Sequence, residues 1–88
     1  MKIIIYAIAK NEAQFAERFM RSCAGADGVH VLDTGSTDGT PERLRELGAA
    51  VRERVIDPWR FDAARNASLE MLPEDADVCI CLDLDEVL

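Results

Sequence analysis

The chain has 88 residues, with 17 acidic and 10 basic side chains and a net charge of −7. That length holds one domain or a piece of one, and a hydrophobic content of 49% is enough to bury a core and too high for a disordered chain. The acidic balance argues against a nucleic-acid backbone or an anionic membrane surface as the main partner, though not against a phosphate ligand held through a metal ion. Cys23, Cys79 and Cys81 are too few, and odd in number, for a disulfide framework. No apolar run approaches ~18 residues and the start carries no signal-peptide pattern, so a reducing cytoplasm is the expected compartment.

In chain order, "KIIIYAIA" (2–9) is an almost unbroken β-branched and apolar run, as in a strand covered on both faces of a parallel sheet. Asn11 is positioned to cap a helix whose apolar stripe is Phe15/Ala16, Phe19/Met20 and Cys23. "AGADG" (24–28) ends it, and "VHVLD" (29–33) is a second strand. "TGSTDGT" is a turn. Thr40-Pro41 reads as cap plus first helical residue of a short helix with Leu44 and Leu47 inward and Gly48 as its stop. "AAVRERVI" (49–56) mixes apolar and charged residues as an edge strand does, and "DPW" breaks it. "RFDAARNASLEML" (60–72) reads as a helix with Phe61, Ala64, Ala67 or Ser68, and Met71 inward. "VCICLDLDEVL" (78–88) starts as a buried strand, with Cys79 and Cys81 as a buried apolar pair, and ends in acid. His30 alternates with Val29 and Val31 and reads as structural.

The order β-α-β-α-β-α-β implies an α/β fold with a mostly parallel, four-stranded sheet, three helices and right-handed crossovers. In such a sheet ligands bind at the carboxyl ends of the strands. Those ends carry Lys10-Asn11-Glu12, Asp33-Thr34, Asp57-Pro58-Trp59, and Asp83, Asp85 and Glu86. Asp83 and Asp85, two apart, share one side of an extended segment with Leu82 and Leu84 on the other; two hard oxygen donors suit Mg²⁺ or Mn²⁺. The third helix starts at the same edge, which brings Arg65 and Asn66 near the cleft as candidates for phosphate or base; Arg65 could equally pair with Asp33, Asp62 or the terminal acids. Trp59 could stack on a ligand ring or pack before the helix.

Asp33-Thr34-Gly35-Ser36 is also the tetrapeptide that aspartic proteases carry at their catalytic aspartate. Those enzymes continue in β-structure, whereas "TPERLRELG" is helical by cap, period and stop, so the peptidase reading is set aside. The segments "AIAKNEAQF", "VLDTGSTDGT", "PWRFDAARNASL" and "CLDLDEVL" together resemble the nucleotide-sugar-binding half of the family 2 glycosyltransferases with the GT-A fold, and among them the bacterial lipopolysaccharide-core glucosyltransferases. The resemblance spans essentially the whole chain. It implies a Rossmann-like GT-A domain over residues 1–88 that stops after the D-x-D strand. Ala9, Lys10, Asn11 and Glu12 would line the nucleoside pocket, with Asp33 beside the base and ribose and Thr34 where many members have a second aspartate. Arg65 would sit by the nucleotide, Asp83 would face ribose or metal, and Asp85 would be the metal ligand.

The chemistry implied is transfer of a sugar, with inversion, from a nucleoside diphosphate, here read as UDP, to a glycan or lipid-linked acceptor. It would depend on Mn²⁺ or Mg²⁺, in the cytoplasm or at the inner face of the membrane. The family's general base lies beyond the D-x-D, so no catalytic base is assigned and these 88 residues are expected not to transfer sugar alone. An exposed sheet edge would favour a homodimer. The alternative is a non-catalytic nucleotide-binding or assembly module on the same scaffold. Another Rossmann-like nucleotide binder ranks last, because no G-x-G-x-x-G follows the first strand.

Overall fold

In the computed structural model, residues 1–55, 60–82 and 84 are described, without the Phe61 side chain. The elements run β1 (Ile3–Ala9), α1 (Ala13–Ser22), β2 (Gly28–Asp33), α2 (Thr40–Glu46), β3 (Ala50–Glu53), α3 (Phe61–Glu70) and β4 (Val78–Cys81). The strands form one sheet in the order β3-β2-β1-β4, and every pairing is parallel. The expectation of a mostly parallel sheet thus becomes an all-parallel one, compatible with a Rossmann-like fold.

Alternation along β1 splits the core. Ile5, Ala7 and Ala9 join Val29 and Val31 of β2, Ala16 and Phe19 of α1, Cys23 at its end, and Leu44 of α2 in one cluster. On the opposite face Ile8 and Leu32 meet Ala64, Ala67 and Met71 from α3 and its end. Two helices therefore cover one face and a single helix the other. Phe19 is wholly buried, and removing one such ring from water contributes about 2–3 kcal/mol. Gly48 follows α2 at φ 102°, a left-handed conformation that a side chain would strain and that ends the helix.

At the amino edge, two aspartates hold β1 at its entry. Asp27, just before β2, accepts from the Ile3 N–H at 2.6 Å, and Asp77, just before β4, accepts from the Lys2 N–H at 2.6 Å. Their own N–H groups return to β1, Asp27 to the Ile3 carbonyl at 2.8 Å and Asp77 to that of Lys2 at 2.9 Å. The register of the central strand is fixed from both sides. His30, level with Tyr6 and Ala50, has its pKa lowered by burial and then by the Lys2 charge, which favours the neutral ring.

Three local expectations are corrected. Asn11 does not cap α1; Glu12 occupies that position. Gly39, not Thr40, is the N-cap of α2, and Thr40 is already helical. The third concerns β4, which is not a buried strand: Val78, Cys79 and Cys81 are exposed. β4 forms a border of the sheet, and α3 packs over β1 and β2 rather than beside it. Ile80, Leu82 and Leu84 still pack inward against the larger core cluster, on the opposite face from the cysteines. No helix among the described residues is long and apolar enough to cross a membrane.

Cys23 is buried, and burial raises its thiol pKa. Thiol titration of the native chain with a disulfide reagent should therefore show two fast groups, Cys79 and Cys81, and a third that reacts only on unfolding. A single fast thiol, or three, would contradict the edge position of β4.

Candidate functional site

Because every strand pair is parallel, all carboxyl ends lie along one edge of the sheet. The chain steps from β1 to β2 to β3 in one direction and then crosses to the far side of β1 to form β4. The loops leaving β1 and β4 thus flank the point at which the strand order reverses, the usual place for a ligand crevice in an open α/β sheet.

The β1–α1 loop and residues 33–40 form one hydrogen-bonded unit. The Asn11 N–H donates to Ser36 Oγ at 2.7 Å, the Glu12 N–H to Thr40 Oγ1 at 2.9 Å, and the Ala13 N–H to Asp38 Oδ2 at 3.2 Å. Each accepting hydroxyl is backed by a carboxylate: Ser36 Oγ donates to Asp33 Oδ1, and Thr40 Oγ1 donates to Asp38 Oδ1. In the other direction the Thr37 N–H donates to Asn11 Oδ1 at 2.8 Å, and the Thr34 N–H to the Ala9 carbonyl at 3.0 Å. Two N–H donors that a helix start leaves without intrahelical partners, those of Glu12 and Ala13, and the preceding one of Asn11 are satisfied by side chains of the next loop. The helix has no side-chain cap of its own.

The residue types explain the geometry. Asn11 sits at φ 54°, a conformation asparagine tolerates better than most residues, and this frees both its N–H and its amide oxygen to face the second loop. Gly35, at φ 118°, turns the chain so that the Ser36 N–H also reaches Asp33, at 3.1 and 3.3 Å from its two oxygens. Asp33 is 1% exposed, and its buried carboxylate is held by these donors. Among the described residues no buried polar side-chain atom lacks a partner.

The sequence-derived candidates divide accordingly. Ala9 is buried, with its carbonyl taken by Thr34 through both the backbone and the hydroxyl, the latter at 3.3 Å. Asn11, Asp33 and Thr34 belong to the loop network, and Glu12 enters it through its N–H. Lys10 is exposed at the carboxyl edge. Arg65 is exposed on α3, which begins at this edge because it connects the end of β3 to the start of β4. Arg65 pairs with neither Asp33 nor Asp62: Asp33 is held by Ser36, and Asp62 accepts from Arg60 at 2.8 Å. Asp83 and Asp85, with Asp57, Trp59 and Glu86, lie outside the described residues. Their neighbours Leu82 and Leu84 pack inward as the alternation of the run requires, Leu84 completely. Among the described residues no group of three or more His, Cys, Asp or Glu could hold a metal ion.

Ser36, Thr37, Asp38 and Thr40 carry the loop network without standing out in the sequence as site residues. Their signal is the density of short oxygen-bearing side chains in "DTGSTDGT", which marks a loop whose side chains satisfy backbone groups. α2 follows this loop as a helix, unlike the β-structure of an aspartic protease. The chain matches no protein-family model and no curated protein.

The hydroxyl of Thr40, followed by the Ala13 and Thr40 N–H groups, holds the Asp38 carboxyl below its ordinary range. A depressed folded-state pKa gives a contribution that is complete above about pH 4 and is lost as pH falls through the lower folded value. Asp38→Asn should therefore make the acid limb of the stability curve shallower below about pH 4, as read by chemical denaturation at several pH values. A limb identical to that of the wild type would contradict the role given to this carboxylate.

Proposed function

We propose that residues 1–88 are the donor-binding part of an inverting glycosyltransferase of the GT-A type, which takes a nucleoside-diphosphate sugar, read as a UDP-sugar, at the carboxyl edge of the sheet. The observation that carries this reading is the occupied N-terminus of α1. In dinucleotide-binding Rossmann domains the pyrophosphate rests on free N–H groups where the first helix begins. Here the N–H groups of Asn11, Glu12 and Ala13 are all taken by residues 36–40. A diphosphate at this edge then needs positive charge from elsewhere.

The chain offers two sources. Arg65 projects from the helix that starts at the same edge, exposed and unpaired with the acids nearest in sequence. In sequence, the run Leu82-Asp83-Leu84-Asp85 follows β4, the strand that pairs with β1. Its hard oxygen donors fit Mn²⁺ or Mg²⁺, so Asp85, with Asp83, would hold the ion. A bound divalent ion supplies Lewis-acid neutralisation of the charge that develops on the leaving diphosphate. Lys10 adds a further cation at the mouth of the nucleoside side. No residue of this chain is assigned as the base that activates the acceptor, and these residues bind donor without transferring sugar.

The runner-up is a non-catalytic nucleotide-binding or assembly module on the same scaffold. Calorimetry separates an intact donor site from a purely structural module. UDP should bind in the presence of Mn²⁺, with affinity falling at least about tenfold without the ion or in Asp85→Ala, the scale of a single charge-assisted interaction. Absence of nucleotide binding with or without Mn²⁺ would leave the assembly module. Transfer of labelled sugar to an acceptor by this chain alone would refute the statement that it binds without transferring.

A further inference from the structure

Resting on the donor-site reading, we infer that Ser36 is a positioning residue for that site. It fixes Asp33 and Asn11 relative to one another without touching the nucleotide. The inference comes from the direction of its hydrogen bonds. Asp33, as a carboxylate, only accepts. Among the described residues, Ser36 gives it both of its donors, the N–H at 3.1 and 3.3 Å and the hydroxyl proton. With its proton committed there, the hydroxyl oxygen is left as an acceptor, and the Asn11 N–H fills it at 2.7 Å. One side chain thus joins the last residue of β2 to the loop leaving β1.

The same hydroxyl orders a second contact. Once the Asn11 N–H is anchored at φ 54°, the Asn11 amide oxygen meets the Thr37 N–H at 2.8 Å. The ring of contacts runs Asp33, Ser36, Asn11, Thr37 and back along the chain to Ser36. Among the described residues Ser36 alone bonds to both Asp33 and Asn11, and it is half-buried rather than presented to solvent. Thr40 makes an analogous bridge between Asp38 and the Glu12 N–H, but that bridge caps α1 and leaves Asp33 untouched. A nucleotide lying across both loops meets a surface whose two halves are registered by Ser36. Removing the hydroxyl loosens the register of Asn11 against Asp33, while the bonds from Glu12 to Thr40, Ala13 to Asp38 and Thr34 to Ala9 keep the loops joined above an intact sheet.

The test compares the whole 88-residue chain with Ser36→Thr, Ser36→Cys and Ser36→Ala. Amide hydrogen exchange is read at Asn11 and Thr37 against β1 core amides, alongside UDP titration in the presence of Mn²⁺. Both loop amides should exchange about tenfold faster in Ser36→Ala with the β1 amides unchanged, and UDP affinity should fall by about the same factor, the scale of one hydrogen bond to a charged group. Ser36→Thr, which keeps a hydroxyl, should restore both readouts. Ser36→Cys, a weaker donor, should fall between, and it preserves the comparison if the alanine variant does not fold. The inference is overturned if affinity falls without faster loop exchange, which would make Ser36 a direct contact. It is equally overturned if the loops loosen while affinity holds. If the wild-type chain binds no UDP, the donor-site reading fails and the positioning role fails with it; binding by the wild type that is indifferent to Ser36→Ala defeats the positioning role alone.

Discussion

The interaction on which the carboxyl edge depends is the capture of three consecutive backbone N–H groups, those of Asn11, Glu12 and Ala13, by Ser36, Thr40 and Asp38. A strand that ends in a parallel sheet and turns into a helix leaves such donors open, and buried or half-buried donors are costly when unpaired. A helix normally solves this with its own N-cap side chain, or a ligand solves it. This protein solves it from the following loop. The consequence is structural coupling between two loops that are adjacent in space because β1 and β2 are paired, with Ala9 level with Asp33.

This coupling gives the acidic residues of "DTGSTDGT" distinct duties. Asp33 ends β2 on the face that carries α1 and α2, buried, and orients Ser36. Asp38 stands at the start of α1, where a negative charge is favoured by the helix dipole, and orients Thr40. Both carboxylates accept from donors of their own loop, Asp33 while buried and Asp38 while exposed. Around them, Lys10 and Arg65 are exposed at or near the same edge. Function and fold are thus separated by burial within a few residues of the same loops.

Much of the fold was legible in the sequence because it rests on periodicity. The β-branched run of β1, the 3.6-residue stripe of Ala16, Phe19 and Cys23, and the inward Ala64 and Ala67 are all local patterns, and all pack as expected. What was not legible depends on neighbours in space. An apolar run such as "VCIC" encodes a strand but not which strand lies outside it. Cys79 and Cys81 therefore read as buried, when they face away from the core on a border strand. Likewise Asn11 has the chemistry of a cap, and only the proximity of Thr37 shows why its side chain turns elsewhere. The same holds for the candidate site. Strand-end placement followed from topology, whereas the engagement of Asn11, Asp33 and Thr34 in a loop network required the packed chain.

The two borders of the sheet differ in charge and in their distance from the point where the strand order reverses. The outer strand β3 carries Arg52 and Glu53 and is followed by Arg54, charges of the kind that keep a free edge from pairing. β4 carries none over Val78–Cys81. In its parallel pairing with β1, the N–H groups of Val78 and Leu82 are used at 3.1 Å, so the intervening alternation turns the backbone groups of Cys79 and Cys81 outward. The charged border is thus distant from the reversal point and the neutral one adjoins it. On one side of the reversal point stands the internally satisfied unit of residues 9–13 and 33–40, and on the other a strand whose Cys79 and Cys81 backbone groups face away from β1. The backbone donors of Asn11, Glu12 and Ala13 are already engaged in holding the fold, so a ligand at this edge would meet exposed side chains such as Lys10 and Arg65 rather than free backbone on the β1–α1 side.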